Sequence, residues 1–124
     1  MGKYIIVILG GGVGSLARYV LGTAIMSRFG GKFPLGTMVI NVTGSFAIGV
    51  LMTLVTERLQ LHPYWRLGLV IGFLGGYTTF SSFEYESLEA VREGGLIPGL
   101  FNMVGSVVLG FVAVWAGAVL AARR

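Results

Sequence analysis

The side chains best suited to chemistry are concentrated between residues 75 and 89, which read GGYTTFSSFEYESLE. The two glycines remove side-chain support for a helix, and the Thr and Ser hydroxyls that follow compete for its backbone groups. Inside a membrane, an N–H or C=O group released from a helix costs several kcal/mol unless another buried group satisfies it. A helix interrupted at membrane depth is therefore typical of an ion or substrate site, and this stretch predicts binding of that kind.

The composition is that of an integral membrane protein. Of the 124 residues, 55% are hydrophobic and 11% are charged, and the mean hydropathy is +0.85. The net charge of +4 reflects few acids rather than a basic patch, so we expect no nucleic-acid partner. Without cysteine there is no disulfide or thiol chemistry, and a single histidine leaves no plausible zinc or iron site. We expect no enzymatic reaction and no soluble protein partner.

Hydropathy predicts an all-α membrane protein in which residues 1–124 form one domain of four transmembrane helices. Each span is close to the ~20 residues that a bilayer core requires. The predicted spans are residues 4–26, 35–56, 64–91 and 97–122, joined by short links rich in glycine and proline. The third span contains the glycine pair, so we expect it to be broken in mid-membrane. No signal-peptide cleavage site follows the first apolar run, so we expect the first span to be retained.

Glycines in the first span imitate a nucleotide-binding loop. A dinucleotide fingerprint would need a third glycine where Ser15 stands, and the first acidic residue, Glu57, comes far too late to bind a ribose. Gly10 and Gly14 instead form a G-x-x-x-G step, which predicts close contact between helices.

Polar residues inside the other spans each allow two interpretations. Arg18 is costly near mid-bilayer, so it either faces a wet cavity or a partner, or it extends to the nearer interface. Thr37, Asn41 and Ser45 share one helical face, which suits either interhelical hydrogen bonding or the lining of an anion path. In the fourth span, one helical face is small and polar, and packing is its default explanation; it carries Asn102, Ser106, Gly110 and Ala113.

Two phenylalanines follow the glycine pair at helical spacing. Phe80 and Phe83 share one face, which usually means packing in a core or against lipid. The positive edge of an aromatic ring can also attract a small anion without the tight grip of a full charge, and conduction requires weak sites. Among the glutamates that follow, Glu86 lies about 9 Å beyond Phe80 on a helix and is the one we expect to have a functional partner.

Positive charges give a weak orientation signal. Four spans place both termini on one side of the membrane. That side would hold Lys3, Arg58, Arg66, Arg123 and Arg124, and the other Arg28, Lys32 and Arg92. This balance is compatible with a single orientation or with insertion in both.

The string GFLGGYTTFSSF at residues 72–83 closely resembles the signature of the small bacterial fluoride channels, the Fluc/CrcB family. Further matches cover nearly the whole chain, including residues 14–19, GTMVIN at 36–41, and Ser106 with Gly110. The resemblance implies a fluoride-selective, multi-pass channel of the bacterial plasma membrane. Such a channel exports fluoride passively and lowers its toxicity, because HF crosses lipid, ionises in the cytoplasm and is trapped there.

The resemblance also implies an antiparallel, dual-topology homodimer with a structural sodium ion on its axis. Carried over, the sodium-binding carbonyls belong to Gly75 and Thr78. The residues that it implies for the fluoride pore are Asn41, Phe80, Phe83, Ser106, Thr37, Thr79, Ser81 and Glu86. Arg18 becomes a vestibule or structural charge. Some members carry a serine and a tyrosine where this chain has Gly110 and Asn102, so contacts of the fourth span with the anion are left open.

Two other classes of protein remain as alternatives. A small dual-topology, proton-coupled multidrug or cation exporter would need a carboxylate in the first span, where this chain offers only Arg18. A membrane scaffold without transport activity would account for the glycine contacts but not for the interruption in the third span.

Overall fold

The computed structural model describes residues 1–123, and helices account for nearly all of that range, which contains no strand. The helices are α1 (Gly2–Phe29), α2 (Leu35–Thr53), α3 (Pro63–Trp65), α4 (Gly75–Tyr77), α5 (Ser81–Gly94) and α6 (Leu96–Ala122). Two π-helical segments extend them: Leu54–Arg58 continues α2, and Arg66–Leu74 joins α3 to α4. Gly95 separates α5 from α6 at φ 90°, a conformation that glycine adopts without steric penalty.

Three helices in the described range are long and apolar enough to cross a membrane. They are Gly2–Phe29, Leu35–Arg58 and Leu96–Ala122, with mean hydropathies of 1.7, 2.0 and 2.2. Many of their large apolar side chains are exposed, as expected for helices that face lipid or another protein. The all-helical, multi-pass membrane class is therefore confirmed. The predicted span 64–91 is divided among α3, α4, α5 and a π-helical segment, and its passage through the membrane stays a prediction.

Glycines allow α1 to pack against the backbone of the segment that leads to α4. A Cβ atom at Gly10 would collide with the carbonyl oxygen of Gly68, and one at Gly14 with that of Phe73. The predicted close contact through Gly10 and Gly14 is thus confirmed. Because α1 is helical from Gly2 onward, its glycines do not form the loop that binds a dinucleotide.

Helices α2 and α6 form a second close pair. A Cβ atom at Gly49 of α2 would collide with the Val114 carbonyl of α6, and one at Gly117 of α6 would collide with the Phe46 carbonyl of α2. Between these pairs, Ile40, Leu74 and Tyr77 form a small buried cluster. This cluster anchors α2 to the point at which α4 ends.

The end of α2 and the end of α6 meet at one face of the bundle. The Arg58 guanidinium donates to the carbonyls of Ala122 and Arg123, the latter over 2.9 Å. These carbonyls lie at the C-terminal end of α6, where helical carbonyls lack a partner within the helix, so a cation there is favourable. Arg58 and Arg123 therefore lie at the same end, as the orientation count requires. Arg124 lies outside the described residues.

Candidate functional site

The chain leaves helical geometry between Tyr77, where α4 ends, and Ser81, where α5 begins. Thr78 is extended, with φ −83° and ψ 156°. We call residues 78–80 the break. Backbone groups here that lose the helical pattern need another partner.

Asn41 of α2 supplies both partners of one peptide unit in the break. The Thr79 N–H donates to Asn41 Oδ1 over 2.8 Å, and Asn41 Nδ2 donates to the Thr79 carbonyl over 2.9 Å. In a continuous helix that N–H would bind the carbonyl of Gly75, four residues earlier. Asn41 therefore satisfies Thr79 and leaves the Gly75 carbonyl without its usual donor.

The Thr79 side chain diverts a second donor in the same way. The Ser82 N–H donates to Thr79 Oγ1 over 3.3 Å, whereas a continuous helix would direct it to the Thr78 carbonyl. The N–H and hydroxyl of Thr78 both donate backward to Leu74, over 3.0 and 2.8 Å. As a result, the carbonyls of Gly75 and Thr78 accept no hydrogen bond from residues 1–123.

The carbonyl of Gly76, by contrast, accepts hydrogen bonds from side chains of α1. Arg18 Nε donates to the Gly76 carbonyl over 3.2 Å, and Ser15 Oγ lies 3.5 Å from the same oxygen. The Arg18 side chain is partly buried, so of the two interpretations of this charge the structure favours the one with a partner. That partner is the helix end beside the break.

A cleft of about 560 Å³ opens next to the break, and we call it the break cleft. Its walls come from α2, α6, the first turn of α5 and the segment before the break. They consist of Asn41, Gly44, Ser45, Ile48, Val70, Leu74, Gly75, Thr78, Thr79, Phe80, Phe83, Ser106 and Val107. No charged side chain lines it. Seven of the residues that the sequence singles out meet here: Gly75, Thr78, Asn41, Phe80, Phe83, Thr79 and Ser106.

The two phenylalanines of the break cleft differ in burial. Phe80 is 74% exposed and Phe83 is 6% exposed, and their ring centroids lie 6.1 Å apart with planes tilted by 54°. Phe83 is thus fixed by packing within the chain. Phe80 presents its ring outward, where lipid or a second protein surface must cover it.

A buried hydrogen-bonded chain runs from α5 through α6 to the break cleft. Ser87 Oγ donates to the Phe83 carbonyl over 2.7 Å, and Asn102 Nδ2 donates to Ser87 Oγ over 2.8 Å. Ser106 Oγ then donates to Asn102 Oδ1 over a long 3.4 Å. Because Ser87 Oγ donates its proton to Phe83, it can only accept from Asn102 Nδ2, and this turns Asn102 Oδ1 toward Ser106. Ser106 therefore donates to Asn102, and the length of this bond makes it weak. The packing role expected for this face is confirmed for Asn102, which is 1% exposed.

The remaining predicted site residues lie elsewhere. Thr37 and Glu86 line a second cleft of about 640 Å³ together with Arg18, which we call the Arg18 cleft. Glu86 Oε2 is buried there without a hydrogen-bond partner among residues 1–123. Ser81 is exposed at the start of α5 and lines neither cleft.

Two residues that the family resemblance did not include in the pore take part in this arrangement. Gly44 faces Thr78, whose methyl group would collide with a Cβ atom at that position. Ser45 lines the break cleft and lies one turn after Asn41, a spacing that already placed both on one face of α2. The Ser87–Asn102 bond depends on how α5 meets α6, which residue spacing does not reveal.

Comparison with known proteins gives matches over nearly the whole length of the chain. A family model described as CrcB-like protein, Camphor Resistance (CrcB), matches residues 5–118. A protein of Solibacter usitatus named Fluoride-specific ion channel FluC is 70% identical over 121 residues, covering 98% of this chain and 99% of that protein. Proteins of the same name from Acidobacterium capsulatum and a Sulfurihydrogenibium species are 47% and 41% identical, each over 98% of this chain and 97% and 98% of their own lengths. The family resemblance of residues 72–83 is thereby confirmed, and this chain belongs to the CrcB-like family.

Proposed function

We propose that this protein is a fluoride-selective channel that exports fluoride passively and so lowers its toxicity in the cytoplasm. The observation that carries this function is the 70% identity, over 98% of the chain, to a protein named Fluoride-specific ion channel FluC. The break cleft supplies chemistry that fits an anion: the Asn41 amide, hydroxyl groups and aromatic rings, with no fixed charge. Neutral donors and ring edges replace the hydration shell of an anion weakly enough for it to leave again.

In this function, the segment from Pro63 to Gly94 is the third of four membrane crossings and the break lies at membrane depth. The hydrogen bonds from Asn41 and Arg18 support this arrangement, because they satisfy backbone groups in the break and just before it that lipid could not. Interrupted helices of this kind are tolerated where they line a cavity. Asn41, Phe80, Phe83, Thr79 and Ser106 then line the conducting path. Thr37, Ser81, Glu86 and the Arg18 charge contribute at its approach.

A sodium ion fits the two carbonyls that the break releases. Backbone carbonyl oxygens are ligands for alkali cations, and those of Gly75 and Thr78 have no donor in residues 1–123. Two oxygens are too few for one cation, so the site requires a second copy of the chain. An antiparallel homodimer inserted in both orientations brings the same carbonyls together from two breaks. It also covers the exposed ring of Phe80. Sodium there stabilises the break and takes no part in moving fluoride.

The location that follows is the bacterial plasma membrane, with fluoride, lipid and a second copy of the chain as partners. An exporter driven by protons is disfavoured, because α1 carries Arg18 and no acidic residue. A role as a scaffold without transport activity does not account for the uncharged, hydroxyl-lined break cleft.

Flux from proteoliposomes tests the function. We expect the purified chain to release fluoride without a proton gradient and to release chloride far more slowly. Release that depends on a proton gradient would favour the exporter. Liposomes that remain impermeable to fluoride would favour the scaffold.

A further inference from the structure

The break cleft contains four side-chain hydroxyls, and they differ in whether their protons are available. Thr78 Oγ1 donates to the Leu74 carbonyl over 2.8 Å, so its proton is committed to the backbone. Ser106 Oγ donates to Asn102 over 3.4 Å, so its proton is held weakly. Thr79 Oγ1 accepts from the Ser82 N–H and keeps its own proton. The fourth hydroxyl is that of Ser45.

The Ser45 hydroxyl differs from those of three other helical residues, Thr43, Thr56 and Ser87, whose protons are committed to their own helix backbone. Thr43, Thr56 and Ser87 each donate to the carbonyl four residues earlier, over 2.7, 2.6 and 2.7 Å. This is the ordinary way for a helix to satisfy a hydroxyl in an apolar setting. The Ser45 hydroxyl makes no such bond, and no group within residues 1–123 lies within hydrogen-bonding distance and geometry of it.

Gly110 of α6 is the neighbour of this hydroxyl on the facing helix. A Cβ atom at Gly110 would lie 3.4 Å from Ser45 Oγ, an ordinary van der Waals distance, so the hydroxyl lies directly against this glycine. Gly110 also lies one turn after Ser106, on the same face of α6. Ser45 of α2 and Ser106 of α6 thus both present hydroxyls to the break cleft.

We propose that Ser45 is an anion-contacting residue of the break cleft, which donates a hydrogen bond to a small dehydrated anion. This role rests on the proposed channel function. The hydroxyl is uncharged and has no protein partner to release, so it can bind an anion without first breaking a bond. Asn41, one turn earlier on α2, still has the second hydrogen of Nδ2 to donate after one is used by Thr79. The two side chains therefore form successive contacts along one helix.

The test compares Ser45→Ala with Thr56→Val in proteoliposomes that contain the full-length chain. Each substitution removes one hydroxyl from the same continuous helical segment, but Thr56 is exposed, bonded to Met52 and outside the break cleft. We expect Ser45→Ala to lower fluoride flux at subsaturating fluoride roughly tenfold, as loss of one hydrogen bond to an ion does. Thr56→Val should conduct like the unmodified chain.

The double variant Ser45→Ala/Gly110→Ser moves the hydroxyl to the opposite helix. We expect it to recover most of the lost flux, because a serine at Gly110 places a hydroxyl next to the position that Ser45 Oγ vacates. If Ser45→Ala does not give a monodisperse protein, Ser45→Cys keeps the shape and weakens the donor, and reduced fluoride flux is expected from it.

Unchanged flux in Ser45→Ala, or in Ser45→Cys where that variant is used, would overturn the role of Ser45 while the channel function stands. A double variant whose fluoride flux stays as low as that of Ser45→Ala would also overturn the role of Ser45. An unmodified chain that carries no fluoride would overturn the channel function itself.

Discussion

The side-chain amide of Asn41 holds the peptide group of Thr79 at both ends, accepting from its N–H over 2.8 Å and donating to its carbonyl over 2.9 Å. One side chain on α2 thus does what a further helical turn would otherwise do. It also removes from the Gly75 carbonyl the donor that a continuous helix would give it. Asn41 therefore has a structural duty at the break in addition to any contact with an anion.

Replacing Asn41 by aspartate tests that double duty. Asn41→Asp can still accept from the Thr79 N–H but cannot donate to its carbonyl, and leaving such a group unsatisfied costs about 1–3 kcal/mol. The new carboxylate also repels an anion in the break cleft. We expect fluoride flux to fall by more than about tenfold and the unfolding temperature in detergent to drop.

Gln60→Glu is the matched control for Asn41→Asp. It makes the same change from amide to carboxylate at an exposed position in the link before α3. It should alter neither flux nor stability. Normal flux in Asn41→Asp would remove this amide from the conducting path.

Exchange of Phe80 for isoleucine separates conduction from packing. Phe80 is 74% exposed, so Phe80→Ile removes an aromatic edge from the break cleft with little loss of packing within the chain. We expect the variant to conduct less fluoride and to keep the fold of the single chain. Phe111→Ile is the control, because Phe111 is also 74% exposed but lies on α6 away from the cleft. Equal flux in the two variants would contradict a role for the Phe80 ring.

A methyl group at Gly14 should disrupt the packing of α1. The new Cβ atom would overlap the carbonyl of Phe73, a backbone atom that cannot move aside as a side chain does. We expect Gly14→Ala to lower the free energy of unfolding by about 1–3 kcal/mol, the usual penalty of overpacking. Gly12→Ala, which has nothing within 4 Å of its added atom, should be neutral or slightly stabilising. Thermal unfolding in detergent measures both, and equal stability of the two variants would argue against this contact.

Sodium should raise the thermal stability of the proposed dimer. A cation held only by the folded state stabilises it by mass action, about 2.7 kcal/mol at a hundred times its dissociation constant. We expect the unfolding temperature to rise with sodium concentration and not with a bulky organic cation. Thr79→Val removes the acceptor for the Ser82 N–H, which can then return to the Thr78 carbonyl, so the dependence on sodium should weaken.

Ser81→Ala is the control for Thr79→Val, because Ser81 is exposed and lines neither cleft. It should keep the full dependence on sodium. If sodium does not change the unfolding temperature of the unmodified chain, that result would count against a cation at the Gly75 and Thr78 carbonyls.

The long helices could be predicted from the sequence because the length of an apolar run and the glycine and proline residues at its ends both act on local structure. Gly30, Pro34 and Gly95 end or begin helices close to where hydropathy places the links. The glycine contact of α1 is equally local in origin, since Gly10 and Gly14 recur at a spacing that exposes backbone on one face.

What the sequence could not supply is the direction that α5 takes after the break. That direction decides which side chains meet, so Phe83 and Ser106 reach the break cleft while Thr37 and Glu86 reach the Arg18 cleft. Spacing along one helix also cannot show which donor a carbonyl loses. The roles of Asn41 and Thr79 in freeing two carbonyls depend on contacts across helices and on the exact turn of the chain at Thr78.

The bond from Arg58 to the last carbonyls of α6 has a practical consequence for topology mapping. It ties the C-terminal end to the link that follows α2, so reporters fused at these two places must appear on the same face of the bilayer. If the chains insert in both orientations, each reporter would be labelled from both compartments, and the two reporters would be labelled in equal proportion from each. Labelling of one reporter without the other would mean that the two chain ends had come apart.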